Sequence, residues 1–291
     1  MKNTHFALCI IIVVFAFNFT ACKNPMNTFD ASAEHNAAVA WWDNWDNMSE
    51  QERFIAWIQH FTEAILLNPN DAEAYKFRGI VYQNKLEFDL AIADFNEAIR
   101  INPADDNIYI YRGMIYIIKE DYDRALTEFN VALRLNPNNY DAYYGRAWLY
   151  YRNGDHDLAQ AENAKATRMK LEASILSYTR AMQIESHPAY LYNSRGTTYN
   201  QLGEHDLAIA DYTEAMRIDP TENYFYHNRG KAYLDKGNYD RAIEDFSEAF
   251  RRGFNSLGST YYFRGLAYRN IGEYELAEAD FAKARDLGYR P

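Results

Sequence analysis

The feature that most constrains this chain is its similarity to itself. Segments 72–105, 106–139, 189–222 and 223–257 align at a spacing of 34 residues, with one extra residue in the last, and 258–291 completes the series. Segment 140–188 aligns once about fifteen residues, 158–173, are set aside as an insertion. The fourth residue of every copy is a tyrosine: Tyr75, Tyr109, Tyr143, Tyr192, Tyr226 and Tyr261. So is the eleventh: Tyr82, Tyr116, Tyr150, Tyr199, Tyr233 and Tyr268. The eighth is small: Gly79, Gly113, Ala147, Gly196, Gly230 and Gly265. Further on come Ala91, Ala125, Ser174, Ala208, Ala242 and Ala277, then the rings Phe95, Phe129, Tyr178, Tyr212, Phe246 and Phe281. Ala98, Ala132, Ala181, Ala215, Ala249 and Ala284 follow, and Pro103, Pro137, Pro188 and Pro220 stand near copy ends. A period of this length marks stacked units, each unable to bury its own apolar face alone.

Each copy reads as a helix pair. Tyrosines seven apart with a small residue between them lie on one helical face, and the small residue permits a close approach. A turn follows, as in Lys236-Gly237-Asn238-Tyr239. The second helix carries the Ala, Phe/Tyr, Ala stripe until Asn-Pro or Asp-Pro stops it. The Trp/Tyr, Gly, Tyr, Ala, Phe/Tyr, Ala, Pro pattern closely resembles the tetratricopeptide repeat over residues 72–291. The resemblance implies an all-α, right-handed solenoid of antiparallel helix pairs with a concave groove, in a family of scaffolds that bind peptides or helices. Residues 37–71 are expected to form a degenerate N-terminal pair that caps the stack, in which Ser49 and Glu52 make a capping box before the stripe Phe61, Ala64 and Pro69. Trp41, Trp42, Trp45 and Trp57 read as its seal, or as an aromatic patch for a partner or the membrane interface.

Every copy departs from the family pattern at its seventh residue, which is Arg78, Arg112, Arg146, Arg195, Arg229 or Arg264. Five copies carry an acid just before the second-helix ring: Asp94, Glu128, Asp211, Asp245 and Asp280, whereas the interrupted copy has Ser177. This predicts a ladder of arginine–carboxylate pairs between the two helices; a basic groove for anions is the alternative. The insertion has good helix formers and is expected either to lengthen the second helix or to form a short extra one, with Lys165, Arg168 and Lys170 as a basic edge. A glycine break, Gly253-Phe254, replaces the proline stop before the last copy. Absence of a polar capping helix after the last copy points to self-association there, unless the charges of that helix suffice.

The family resemblance places groove contacts at the second, fifth, ninth and twelfth residues of a copy. Carried over, the first three copies offer Ile80, Ile110, Met114, Ile117, Tyr144, Trp148 and Tyr151, with Lys76 and Gln83 beside them. The last three offer Tyr190, Asn193, Asn200, Tyr224, His227, Lys231 and Tyr262. This is not the Lys/Asn/Arg set with which some members grip a chain-terminal carboxylate. It suits an amphipathic helix or an extended aromatic segment better, unless Ile80, Met114 and Trp148 are ordinary packing.

The N-terminus reads as an address. Residues 1–21 place Lys2 and His5 before an apolar run too short to span a bilayer. They end in Phe19-Thr20-Ala21 before Cys22, which resembles a bacterial lipobox despite Phe19 where Leu is usual. That resemblance implies cleavage, a lipid-bearing Cys22, a tether over 22–36, and a protein held in the cell envelope. Of 2 cysteines Cys9 leaves with the signal, so no disulfide framework exists. A net charge of -11 argues against nucleic acid. No phosphate loop, metal-ligand set or nucleophile elbow is present, so no cofactor, metal or enzymatic activity is expected. The expected function is a lipid-anchored envelope adaptor for a protein partner. The alternatives are a transporter-associated lipoprotein that handles a hydrophobic small molecule or docks a solute-binding protein, and a surface adhesin.

Overall fold

The computed structural model describes residues 49–254 and 258–290. Residues 1–21, Cys22, the tether and the tryptophans Trp41, Trp42 and Trp45 lie outside the described residues. The described residues form 13 α-helices and no strand. They divide into two compact units between Ala166 and Thr167. The first unit holds α1 (Glu50–Leu67), α2 (Ala72–Asn84), α3 (Phe88–Ile101), α4 (Asp106–Ile118), α5 (Tyr122–Leu135), α6 (Tyr140–Asn153) and the first part of α7 (His156–Ala181). The second holds the rest of α7, then α8 (Ala189–Gln201), α9 (His205–Ile218), α10 (Tyr224–Asp235), α11 (Tyr239–Arg251), α12 (Gly258–Asn270) and α13 (Tyr274–Asp286). Each unit is a stack of helix pairs.

Local chemistry sets the boundaries. The Ser49–Glu52 capping box opens α1 in both directions. Asp71 and Asn139 cap first helices with their side chains. Second helices end where Asn68, Asn102, Asn136 or Asp219 turns its side chain back to the amide two residues on, just past the proline. The turn inside each pair needs a left-handed residue, filled by Gly154, Gly203, Gly237 and Gly272 but by Leu86 (φ 62°) and Glu120 (φ 60°) in the first two copies. Those two side chains cost about 1 kcal/mol each relative to glycine.

Inside a pair the small eighth residue meets the second-helix ring. A Cβ on Gly79 would lie 2.7 Å from Phe95 Cε1, and one on Gly265 2.7 Å from Phe281 Cε1. Phe95, Phe129 and Phe246 are fully buried, as are the alanines on either side of them. Gly145, outside the repeat pattern, faces the preceding pair: a Cβ there would lie 2.5 Å from Phe129 Cζ.

The seventh-residue arginines tie the pairs together. In four copies the partner is aspartate and the guanidinium grips it as a fork. Arg78 donates from Nε and Nη2 to the two oxygens of Asp94, both at 2.8 Å, and Arg195–Asp211, Arg229–Asp245 and Arg264–Asp280 repeat this. Arg112 and Arg146 meet the longer Glu128 and Glu162 through Nη2 alone, so their Nε groups are buried without a partner. The remaining Nη1 reaches back to the preceding second helix: Thr62, Asn96, Asn130, Thr179, Thr213 and Ser247 accept from successive arginines. The two pattern tyrosines flank the cation. Arg78 lies 5.6 Å from the Tyr75 ring centre and 6.0 Å from that of Tyr82, and Arg195 and Arg264 sit similarly between Tyr192 and Tyr199 and between Tyr261 and Tyr268.

The third copy corrects the sequence alignment. Arg146 pairs with Glu162, not across an insertion, and Ala159 and Ala166 are the buried alanines. The copy is therefore unbroken, and the extra residues follow its second helix instead of preceding it. Asn163 stands where a ring belongs, while Tyr178 supplies one fifteen residues later, so an alignment by ring position sets 158–173 aside. The helix is single: α7 runs on through Ala181 and its later part serves as a second helix to α8, with Thr179 in the place that Thr62 holds before α2. A longer period thus underlies the short one. Arg78 and Arg112 recur 117 residues later as Arg195 and Arg229. Asp89-Leu90-Ala91-Ile92-Ala93-Asp94 recurs unchanged at 206–211. Ala164-Lys165-Ala166 recurs as Ala282-Lys283-Ala284. Each described unit has one leading second helix and three full copies.

Burial raises the Glu128 and Asp245 carboxyls against the lowering effect of their arginines, so these two rungs offset a desolvation penalty. Arg229→Leu, which leaves Asp245 buried and alone, is expected to cost about 3 kcal/mol in denaturant unfolding. Glu128→Asp is expected to restore the fork on Arg112 and add about 1 kcal/mol. A loss of stability in Glu128→Asp would show that acid length does not control the rung.

Candidate partner-binding surface

The first helices of each unit carry the residues expected in a groove, and the structure sorts them. In the first unit Ile110 is buried in the core with Ala125, Phe129 and Leu149. Met114, Ile117 and Trp148 lie half-buried against that cluster, and Ile80 against the one around Phe95. Tyr122 tilts over Trp148 at 5.8 Å. Tyr144 is half-buried, and Tyr151 stands 65% exposed with its ring 5.2 Å from His156. Lys76 is held by Asp105 and Glu73. Gln83 is buried with both amide atoms unpartnered. Neither Ile110 nor Gln83 is a groove residue: Ile110 packs on Leu149 of the next first helix, and Gln83 is buried.

In the second unit two more expected contacts turn out to be interior. Asn193 is buried and accepts from Asn228 Nδ2 at 2.7 Å. His227 is buried, its Nδ1 2.8 Å from Thr260 Oγ1 and its ring surrounded by Tyr224, Phe246, Phe254 and Phe263. Tight stacking of consecutive first helices makes the fifth position a packing position here. Phe254 arrives through the left-handed Gly253, so the glycine break folds an aromatic onto its own copy. Gly288 and Tyr289 do the same at Tyr262, which is half-buried. Sequence reading missed this pair, although the recurring Gly-aromatic step in place of Asn-Pro was its signal.

What stays open in the second unit is Tyr190, 60% exposed with its hydroxyl on Glu222, and Tyr224, 43% exposed and stacked on His227. A polar strip lies at the other end of the same first helices: His205 contacts Asn200, Asn200 donates to Asp235 at 2.7 Å, and Lys231 lies 3.7 Å from Asp235. Each unit therefore presents exposed tyrosine and, on its first helices, half-buried residues that are apolar in the first unit and polar in the second. Among the described residues no cluster of three or more His, Cys, Asp or Glu could hold a metal, and no helix is long and apolar enough to cross a membrane.

Tetratricopeptide repeat models match residues 72–105, 140–173 and 227–288, and a TPR repeat model matches 113–154 and 196–237, together more than half the chain. The chain belongs to the tetratricopeptide repeat family. The match over 140–173 runs without interruption, in agreement with the Arg146–Glu162 rung. No curated protein matches the chain. Among solved structures it is similar to a tetratricopeptide repeat protein from Parabacteroides merdae, at 18% identity, covering 88% of this chain and 93% of that one with a TM-score of 0.39. It is also similar to YrrB, described as a TPR protein with an unusual peptide-binding site, at 20% identity, 78% and 91% coverage and a TM-score of 0.30. PilW, described as a type IV pilus biogenesis factor, aligns at 15% identity with 75% and 94% coverage and a TM-score of 0.35. The family is one of scaffolds suited to protein–protein interaction.

His227 supplies a test of the packing. Burial, and secondarily Lys231, pushes its imidazole down to about 4. The unfolded chain therefore binds the proton that the folded chain refuses. Stability is complete above about pH 6.5, and falls by about 3 kcal/mol as pH drops toward 4. His227→Phe is expected to remove this slope in unfolding measured between pH 4 and 7; an unchanged slope would mean that the ring is hydrated.

Proposed function

We propose that the protein is a lipid-anchored scaffold of the bacterial cell envelope that holds segments of a partner protein on the first-helix face of each unit. One observation carries the binding half of this reading. Most pattern tyrosines flank the arginine rungs, whereas Tyr151 and Tyr224 lie open to solvent, the first beside His156 and the second stacked on the buried His227 and edge-on to Phe254. Large rings that order few torsions on binding are favoured contacts at interfaces. A helix or an extended aromatic segment suits such a surface. The anchoring half rests on the lipobox-like Phe19-Thr20-Ala21-Cys22 and the polar stretch after it.

Tyr151→Ala with Tyr224→Ala removes exposed rings at little cost to folding. Complexes isolated from detergent-extracted envelopes are expected to contain a protein with the wild type and to lose at least nine-tenths of it with the double variant. Equal recovery would overturn the surface assignment. Metabolic labelling with radioactive palmitate is expected to mark the wild type and not Cys22→Ala, and equal labelling would refute the anchor.

A further inference from the structure

In four of the six full copies the second-helix stripe is completely sealed by the first helix of the same copy; the third has an exposed Asn163 at the ring position, and in the last Phe281 is half-buried beneath Gly265. Ala91, Phe95 and Ala98 are completely buried, and so are Ala125, Phe129 and Ala132 and Ala242, Phe246 and Ala249. The later part of α7 carries the same stripe as Ser174, Tyr178 and Ala181, in the register fixed by Thr179. Here all three are only half-buried. The reason lies in connectivity. Ahead of every other described stripe except that of α1 the chain turns back through a first helix, whereas ahead of Ser174 it is already α7 and continues straight. No turn exists from which a covering helix could arise. The consequence is visible at the same place: Ile184 is 90% exposed, and an open depression of about 460 Å³ is lined by Ala181, Ile184, Tyr190 and Leu191, with Glu185 and His187 at its polar edge.

We propose that this half-copy is a seat for one helix of a partner protein, and that the partner helix has the chemistry of this chain's own first helices. Five of the six full copies place a glycine of the first helix on a second-helix ring and show what such a helix must bring. A glycine or alanine must meet the ring of Tyr178, as Gly79 meets Phe95 and Gly230 meets Phe246, with aromatic residues four before it and three after it. It need not carry arginine beside the small residue. Ser177 stands where the full copies hold the acid of the rung, so an arginine there would lose water and gain no carboxylate. The occupant is thus an amphipathic helix with an aromatic–small–aromatic face and a neutral seventh position. Leu191 at the start of α8 holds the place from which Phe225 contacts Tyr190 of the copy before it, so it gives the partner helix a second apolar contact. The seat does not involve Tyr151 or Tyr224, so it stands or falls separately from the surface assigned above.

The probe is a fluorescein-labelled peptide of residues 72–85 of this chain, together with its Arg78→Ala and Gly79→Leu forms, titrated against the full-length protein in detergent. Fluorescence anisotropy is expected to show saturable binding of the first two within threefold of each other, with dissociation constants below about 100 µM for so short a helix. The Gly79→Leu peptide is expected to bind at least tenfold more weakly. Ile184→Asp, at a side chain too exposed to unfold the protein, is expected to weaken the first two by about tenfold. Ala181→Glu serves as the second variant, with circular dichroism to confirm folding. No anisotropy change with wild type, or binding that Ile184→Asp leaves intact, would overturn the proposal. So would a tenfold preference for the arginine-bearing peptide, which would mean displacement of a native first helix at an acid-bearing copy.

Discussion

The guanidinium at the seventh residue of each copy organises the rest. One cation reaches its own second helix through a carboxylate, the preceding second helix through a hydroxyl or amide, and two tyrosines of its own helix through their rings. A planar donor with a fixed fork can do all three at once, which a lysine could not. Alanine and glycine bring the helices close enough to expel water, and the arginine fixes their register. The cost of burying the acids is the counterweight, seen in the raised Glu128 and Asp245 carboxyls. The tyrosine excess of this chain, 25 residues, follows largely from the repeat, since twelve are the two pattern tyrosines of six copies and nine of these lay a ring against the seventh-residue arginine.

Much of the fold was legible because the repeat is read six times over. Helix pairs, ring-on-glycine packing and the pairing of arginine with acid in five copies all follow from residue types at fixed spacing. The third copy was misread for a physical reason. A polar Asn163 at a ring position looks like a break, yet the flanking Ala159 and Ala166 and the acid Glu162 hold the helix in place without the ring. The later recurrence of Ala164-Lys165-Ala166 carries the true register, at a spacing of 118 residues instead of 34.

The binding surface was less legible. A first helix faces its own second helix, both neighbouring first helices and solvent, and sequence spacing alone cannot say how much of that last face the neighbours take. Asn193 and His227 are polar and sit at groove positions, yet Asn228 and Thr260 of the next first helices satisfy them in the interior. Tyr151, Tyr190 and Tyr224 stay out because they lie toward the helix ends, where the neighbour offers less cover.

The backward reach of each arginine also bears on how such a chain can change length over evolution. The acceptor always sits on the preceding second helix, and its kind is interchangeable: threonine, asparagine or serine. Loss of residues 106–139 by recombination between copies would bring Arg146 to the spacing from Asn96 that Arg112 now holds. Loss of 189–222 would likewise deliver Arg229 to Thr179. The junction chemistry is therefore indifferent to copy number, and a gene of this kind can gain or shed whole copies without a compensating substitution at the seam.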